Sequence, residues 1–261
     1  NYYNYLSTPL VLEERTKIVK GMIEREMAIA NRGNRAPIYI AWDEYNSWYR
    51  ARTDETMAGT RALEEHYNLE DALVIAGFLN AFVRNADIVK MANMAQLVNV
   101  IAPIFTNETG MFKQTIYYPL QLFSSNVFGT SLDVFVDCEN YKTEEFFIGL
   151  GESTTQQDKV PYLDVSATYF HDEIIINVVN RHKDKAIATD IRAVFRVLIG
   201  CLDASFVAQN HAGGKHFARD QLGWSSAEAS WWAASEGSGS TLAFARAAWR
   251  TCSKCSSVTW R

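Results

Sequence analysis

Ile38-Tyr39-Ile40-Ala41-Trp42-Asp43-Glu44-Tyr45-Asn46-Ser47-Trp48-Tyr49-Arg50 runs from a solidly apolar segment into two adjacent acids set among aromatic and amide side chains. Ile38 to Trp42 is apolar on both faces of an extended chain, as a strand is inside a parallel sheet covered by helices. A carboxylate where such a strand ends lies where barrel enzymes keep reactive groups, because the loops there surround a pocket.

Working outward, Thr8 and Pro9 read as the N-cap and first helical position of an amphipathic helix. Ile18, Val19, Met22, Ile23 and Met27 supply its apolar face and Gly33 its stop. After a polar loop from Arg50 to Arg61, Asn68 and Asp71 form a capping box ahead of Leu69, Leu73, Ala76, Leu79 and Val83. Leu97 to Phe105 reads as a further strand, ended by Pro103 and the turn-prone Asn107–Gly110. Helix, strand, helix, strand is the grammar of an α/β fold.

Beyond Thr115 the pattern becomes β-rich, with strands expected at Leu132–Val136, Tyr162–Phe170 and Glu173–Asn180. Leu163, Val165, Ala167 and Tyr169 alternate with Asp164, Ser166 and Thr168, and His171-Asp172 sits where a tight turn would close a hairpin. From about Ala193 the character changes again. Five of the seven tryptophans and three of the four cysteines lie there, with no proline and a Ser/Gly/Ala-rich stretch from Ser225 to Ser240, so no continuation of the β-module is expected.

Composition narrows the function classes. The 261 residues are 48% apolar, enough for a sizeable core, and their formal net charge of −5 leaves no electrostatic footprint for nucleic acid. No apolar stretch approaches the ~20 residues that cross a bilayer, so no membrane partner is expected. The chain lacks an initiator Met, as a piece of a longer protein would. Cys138, Cys201, Cys252 and Cys255 do not form a secreted disulfide framework, which favours a reducing, cytoplasmic compartment. A lost signal peptide would leave the same sequence.

For the acids themselves, glycoside hydrolysis is one chemistry that fits. It needs two carboxyl groups about 5–5.5 Å apart in retaining enzymes and wider in inverting ones. Asp43 and Glu44 cannot be that pair, because successive side chains on a strand point to opposite faces. Trp42, Tyr45, Trp48 and Tyr49 suit a sugar site, since aromatic faces cover sugar C–H surfaces. The plain alternative is an Asp-Glu pair at an ordinary strand end with aromatics packing a core. The residues alone leave both open.

The segments IYIAWDEYNSWYRAR, ALEEHYNLEDALVIAGFLNAFVRNADIVKMANMAQLVNVIAPIFTN, QTIYYPLQLF, GTSLDVFVDC, KVPYLDVSATY and INVVNRH resemble the C-terminal half of family 51 α-L-arabinofuranosidases. The resemblance runs from Asn1 to about Asp190. It implies the C-terminal portion of a (β/α)8 TIM barrel over 1–125, then part of a jelly-roll-like β-sandwich over 126–192. It also implies a retaining glycoside hydrolase acting through a covalent arabinosyl intermediate, with no cofactor and no metal. The expected partner is an arabinose-containing oligo- or polysaccharide such as arabinan or arabinoxylan, and the intact enzyme is expected to be a homo-oligomer.

By the same resemblance the nucleophile falls on Glu44, with Trp48 and Gln96 holding the sugar. Asn46 has a supporting part in the substrate site, and Asp43 is a neighbour. The family's acid/base, a Glu in an Asn-Glu pair well upstream, has no counterpart here, so the chain is expected to be a fragment of low activity. Residues 193–261 depart from the family, as a shifted reading frame or misjoined gene model would produce.

Other motifs carry less. Cys252 and Cys255 have CxxC spacing, but His211 and His216 do not complete a zinc site. His66 reads as a structural or pocket-rim histidine and His182 as a surface residue. The rival to an enzyme fragment is a non-catalytic carbohydrate-binding or interaction protein derived from a truncated hydrolase.

Overall fold

Asn1 caps a short helix α1 (Tyr2–Leu6), its side chain accepting from the Tyr3 amide. A long helix α2 (Thr8–Ile29) follows at once, with Pro9 in its first turn, where a missing N–H costs nothing. The computed structural model describes residues 1–30, 36–49, 64–147 and 154–194, with further strand backbone at 203–208 and 242–248. The cap of α2 is Ser7 rather than Thr8, whose hydroxyl instead donates to the Tyr5 carbonyl. Gly33 lies outside the described residues.

The expected apolar face of α2 is only half used. Burial covers Pro9, Val11, Glu13 and Thr16 and stops there, while Ile18 and Met22 are 50% and 61% exposed.

Strand β1 (Ile40–Tyr45) leads through the segment 46–68 to helix α3 (Leu69–Arg84) and then strand β2 (Val89–Met94), which pairs with β1 in parallel. A strand–helix–strand order is what the sequence announces, but the first strand begins at Ile40 and is not buried on both faces, Ile38 and Tyr39 just before it being 46% and 47% exposed. The capping box forms as read: the Asn68 side chain and Asp71 each take a backbone donor at the start of α3. Leu73, Val74, Ile75 and Ala76 are all buried in one run, so α3 is buried on every side, as a central helix is. It contacts α1, α2 and, later in the chain, the helix Tyr117–Asn126 and the strands Thr130–Leu132, Leu163–Phe170 and Glu173–Asn180.

The second strand is not where the sequence pointed. Leu97–Phe105 is mostly turns, with Leu97 70% exposed, and Asn99 and Ile101 in left-handed backbone that interrupts extension. The strand is VKMANM, whose Lys90 and Asn93 face solvent and hide the β pattern from a search for apolar runs. Strands β3 (Ile104–Asn107) and β4 (Gly110–Lys113) then form a hairpin at the expected turn, where the Asn107 side chain accepts from the Thr109 and Gly110 amides. Helix α4 (Tyr117–Asn126), not anticipated from the sequence, follows with Pro119 in its first turns.

Strand β5 (Thr130–Leu132) is shorter than expected and starts earlier. Four two-residue strands follow: β6 (Asn140–Tyr141), β7 (Phe146–Phe147), β8 (Thr154–Thr155) and β9 (Val160–Pro161). The hairpin of β10 (Leu163–Phe170) and β11 (Glu173–Asn180) forms in full register. His171 and Asp172 carry it, both at positive φ, as a two-residue primed turn demands.

The chain divides into two units, 1–181 with 242–261, and 182–241. In the second, β12 (Thr189–Val194) and β13 (Asp203–Ala208) make an antiparallel pair. In the first, β14 (Leu242–Ala248) joins a four-stranded sheet of order β14-β11-β10-β5. Strand structure therefore continues past Ala193, where none was expected. Backbone pairing needs no apolar alternation, and Ala-rich β14 offers little of it.

A buried ionic network holds helices and sheet together within the first unit. Arg84 donates to both Glu13 oxygens, to Asp164 Oδ1 at 2.5 Å and to the Val165 carbonyl at 2.9 Å. Arg181 donates to the other Asp164 oxygen and to the carbonyls of Leu6 and Pro161. Every charge is answered, which is what makes its burial tolerable.

Candidate active site

Strand β1 is anchored on one side so that its end can be exposed on the other. Trp42 packs 6.4 Å from Phe82 and its Nε1 donates to Thr16 Oγ1 at 3.1 Å. Tyr45 lies edge-on between Phe78 and Phe82, at 6.1 and 4.9 Å, and burial pushes its hydroxyl up to about 12. These two aromatics therefore belong to the core rather than to a sugar surface. Asp43 and Glu44 are both exposed, between them.

Past β1 the chain is tied to the end of β2. The Ala95 amide donates to the Tyr45 carbonyl at 3.2 Å. Asn46 donates from Nδ2 to the carbonyls of Ala95 and Ile101, and its Oδ1 accepts from the Ser47 amide at 2.7 Å. Gln96 sits inside the stretch that Asn46 grips, after a cis Ala95–Gln96 peptide, and its own amide reaches the Ile101 carbonyl. So Asn46 links the strand end that carries Glu44 to the turn that carries Gln96. Both Gln96 and Trp48 are exposed, Trp48 at 45%.

A second set of bonds fixes the chain around Trp48. The Ser47 carbonyl accepts from the Tyr67 hydroxyl at 2.7 Å, and Ser47 Oγ shares a hydrogen bond with the Tyr5 hydroxyl. Tyr5 and Tyr49 both donate to Asp71 Oδ1, each at 2.6 Å. Burial, then the charge of Asp71, holds the Tyr5 hydroxyl far above its usual range; burial does the same for Tyr49 and Tyr67. These phenols stay donors at any ordinary pH. Asp71 was legible only as a cap, because its partners lie far away in sequence.

His66 is exposed and stacks on Phe105 at 5.7 Å. His182 accepts the Asp184 and Lys185 amides through Nδ1. Among the described residues no group of three His, Cys, Asp or Glu could hold a metal ion. Cys252, Cys255, His211 and His216 lie outside them. No helix among the described residues is long and apolar enough to cross a membrane.

The profile of the α-L-arabinofuranosidase C-terminal domain matches residues 43–212. The chain belongs to the α-L-arabinofuranosidase family. It is 36% identical over 195 residues to a probable α-L-arabinofuranosidase C of Aspergillus niger, covering 71% of this chain and 36% of that protein. An intracellular exo-α-(1→5)-L-arabinofuranosidase of Halalkalibacterium halodurans is 30% identical over 192 residues, covering 70% of this chain and 36% of the relative.

Among solved structures, an α-L-arabinofuranosidase from Thermotoga maritima in complex with arabinose superposes with a TM-score of 0.63 at 31% identity, over 74% of this chain and 38% of that one. The chain thus spans little more than a third of the length of these relatives, and corresponds to the C-terminal part of a family 51 arabinofuranosidase. The matched stretch of the family profile extends to residue 212, about twenty residues past the point where the sequence resemblance fades.

Proposed function

We propose that this α-L-arabinofuranosidase chain supplies the nucleophile side of a retaining glycosidase site, with Glu44 attacking the anomeric carbon of a terminal arabinofuranosyl residue. Trp48 presents an aromatic face to the sugar and Gln96 takes its hydroxyls. The observation that carries this reading is the pair of bonds from Asn46, which brings the end of β1, with Glu44, beside the turn holding Gln96. An exposed carboxylate, an exposed indole and an exposed amide at the same ends of two parallel strands suit a furanose ring.

In this reading β1, α3 and β2 are part of a (β/α)8 barrel, and the sheet around β10 and β11 belongs to a β-sandwich. Glu44 forms an ester to the anomeric carbon as the glycosidic C–O bond breaks, and water later cleaves that ester. The proton for a poor leaving group comes from an acid/base that these 261 residues do not supply. The natural substrate would be a terminal arabinose on arabinan or arabinoxylan, acted on inside the cell by a homo-oligomer.

The test is steady-state hydrolysis of 4-nitrophenyl α-L-arabinofuranoside by the purified chain and by Glu44→Gln. Trace turnover that disappears in Glu44→Gln is expected. Turnover that survives Glu44→Gln sinks the site, whereas vigorous turnover lost in Glu44→Gln overturns only the need for an outside proton donor.

A further inference from the structure

Asp71 is fully buried, and its two oxygens do different work. Oδ2 accepts the Asn68 amide and completes the cap of α3. A cap needs nothing more. Yet Oδ1 accepts two phenolic hydroxyls, one from α1 through Tyr5 and one from Tyr49, just beyond Trp48. Tyr5 also reaches Ser47, just before Trp48, whose carbonyl is held from the other side by Tyr67. Both neighbours of Trp48 are thus tied to Asp71, Ser47 through the Tyr5 hydroxyl and Tyr49 directly, while the Trp48 indole is 45% exposed.

We propose that Asp71 is a positioning residue for the sugar site: through Tyr5 and Tyr49 it sets the path of the 44–49 chain and so the placement of Trp48 relative to Glu44. The claim rests on the reading of Glu44 and Trp48 above. A carboxylate offers only acceptors, and two donors fixed on one oxygen remove the freedom of the segment that bears them. Binding groups held to within a fraction of an ångström matter because small misplacement costs rate out of proportion to stability. Tyr49 carries the larger share, being the hydroxyl nearest Trp48 in the chain.

Tyr5→Phe and Tyr49→Phe each remove one hydroxyl and keep the ring, so two mild variants probe the tether. Hydrogen–deuterium exchange of the full chain reads the 44–49 segment against β10 and β11 as an internal reference. Labelling of Glu44 by 2,4-dinitrophenyl α-L-arabinofuranoside, whose leaving group needs no proton, reads the site. Here the Glu44–C1 bond forms as the bond to dinitrophenolate breaks.

Tyr49→Phe is expected to speed exchange in 44–49 by about tenfold with β10 and β11 unchanged. It should also slow the limiting labelling rate by about tenfold, with a smaller change in the half-saturating concentration. Unchanged exchange in 44–49 for both variants overturns the proposal, as does exchange that rises equally across the fold. Faster local exchange with wild-type labelling overturns the link to the site. Faster local exchange with no labelling of Glu44 even in the parent chain supports the tether and fails the nucleophile reading instead.

Discussion

The side-chain amide of Asn46 donates to the Ala95 carbonyl oxygen at 2.5 Å, joining the chain after β1 to the turn after β2. Because the same amide also reaches the Ile101 carbonyl, one side chain closes the stretch around Gln96 from both ends. Asn46→Ala leaves two carbonyls without this donor and is expected to cost about 1–3 kcal/mol. Urea unfolding measures the loss, and labelling of Glu44 should slow along with it. A variant as stable and as reactive as the parent would show that the link does nothing.

The network around Asp164 is a matter of stability rather than chemistry. Arg84→Met leaves Glu13 with only the exposed ammonium of Lys17 as an ion partner and removes one of the two guanidinium partners of Asp164, leaving buried charge undercompensated. A loss of about 3–5 kcal/mol is expected by chemical denaturation. Lys142 pairs with Asp158 in solvent, so Lys142→Ala should leave the unfolding midpoint unchanged. Equal effects of the two would contradict the account.

Acid should unfold the protein through the same network. Burial alone would raise Asp164 and Glu13, but the guanidinium groups of Arg181 and Arg84 on Asp164, and of Arg84 on Glu13, hold both below the usual carboxylate range. Unfolded carboxylates take up protons near pH 4, so below that value the unfolded state binds more protons and stability falls as pH falls. The contribution is complete above about pH 5.

On the alkaline side, Tyr5, Tyr49 and Tyr67 are raised, burial being the main cause. Unfolded phenols ionise near pH 10 while the folded ones keep their protons, so stability falls as pH rises past about 10. Unfolding midpoints across the pH range check both arms, and a flat profile would refute them.

Two glycines separate packing from helix propensity. A Cβ on Gly77 would lie 2.6 Å from Pro9 Cγ, so Gly77→Ala forces α2 and α3 apart. The expected overpacking cost, about 1–3 kcal/mol, outweighs a helix gain of about 1 kcal/mol. Gly21 on α2 has nothing within 4 Å of such a Cβ, so Gly21→Ala should stabilise by up to about 1 kcal/mol. Thermal melts of the pair should move in opposite directions.

What the sequence revealed was local. The Asn68–Asp71 capping box spans three residues, and the Leu163–Asn180 hairpin is written in its alternation and its His171-Asp172 turn. β2 escaped because Lys90 and Asn93 interrupt its apolar pattern, while the apolar stretch after it begins in turns that expose Leu97 and Val98. The half-buried state of α2 was equally hidden, since periodicity marks an apolar face without saying what covers it. Around the candidate site, Asp71 joins Tyr5 and Tyr49 across 66 and 22 residues of chain, a convergence that no short window contains.

The central claim is that Glu44 carries the covalent step, and mass spectrometry of the chain after brief exposure to 2,4-dinitrophenyl α-L-arabinofuranoside tests it most directly. One arabinosyl group per chain, mapped to the peptide containing Glu44 and absent from Glu44→Gln, is the predicted result. An unmodified chain after release of dinitrophenol, or an arabinosyl group mapped to any other residue, would contradict it.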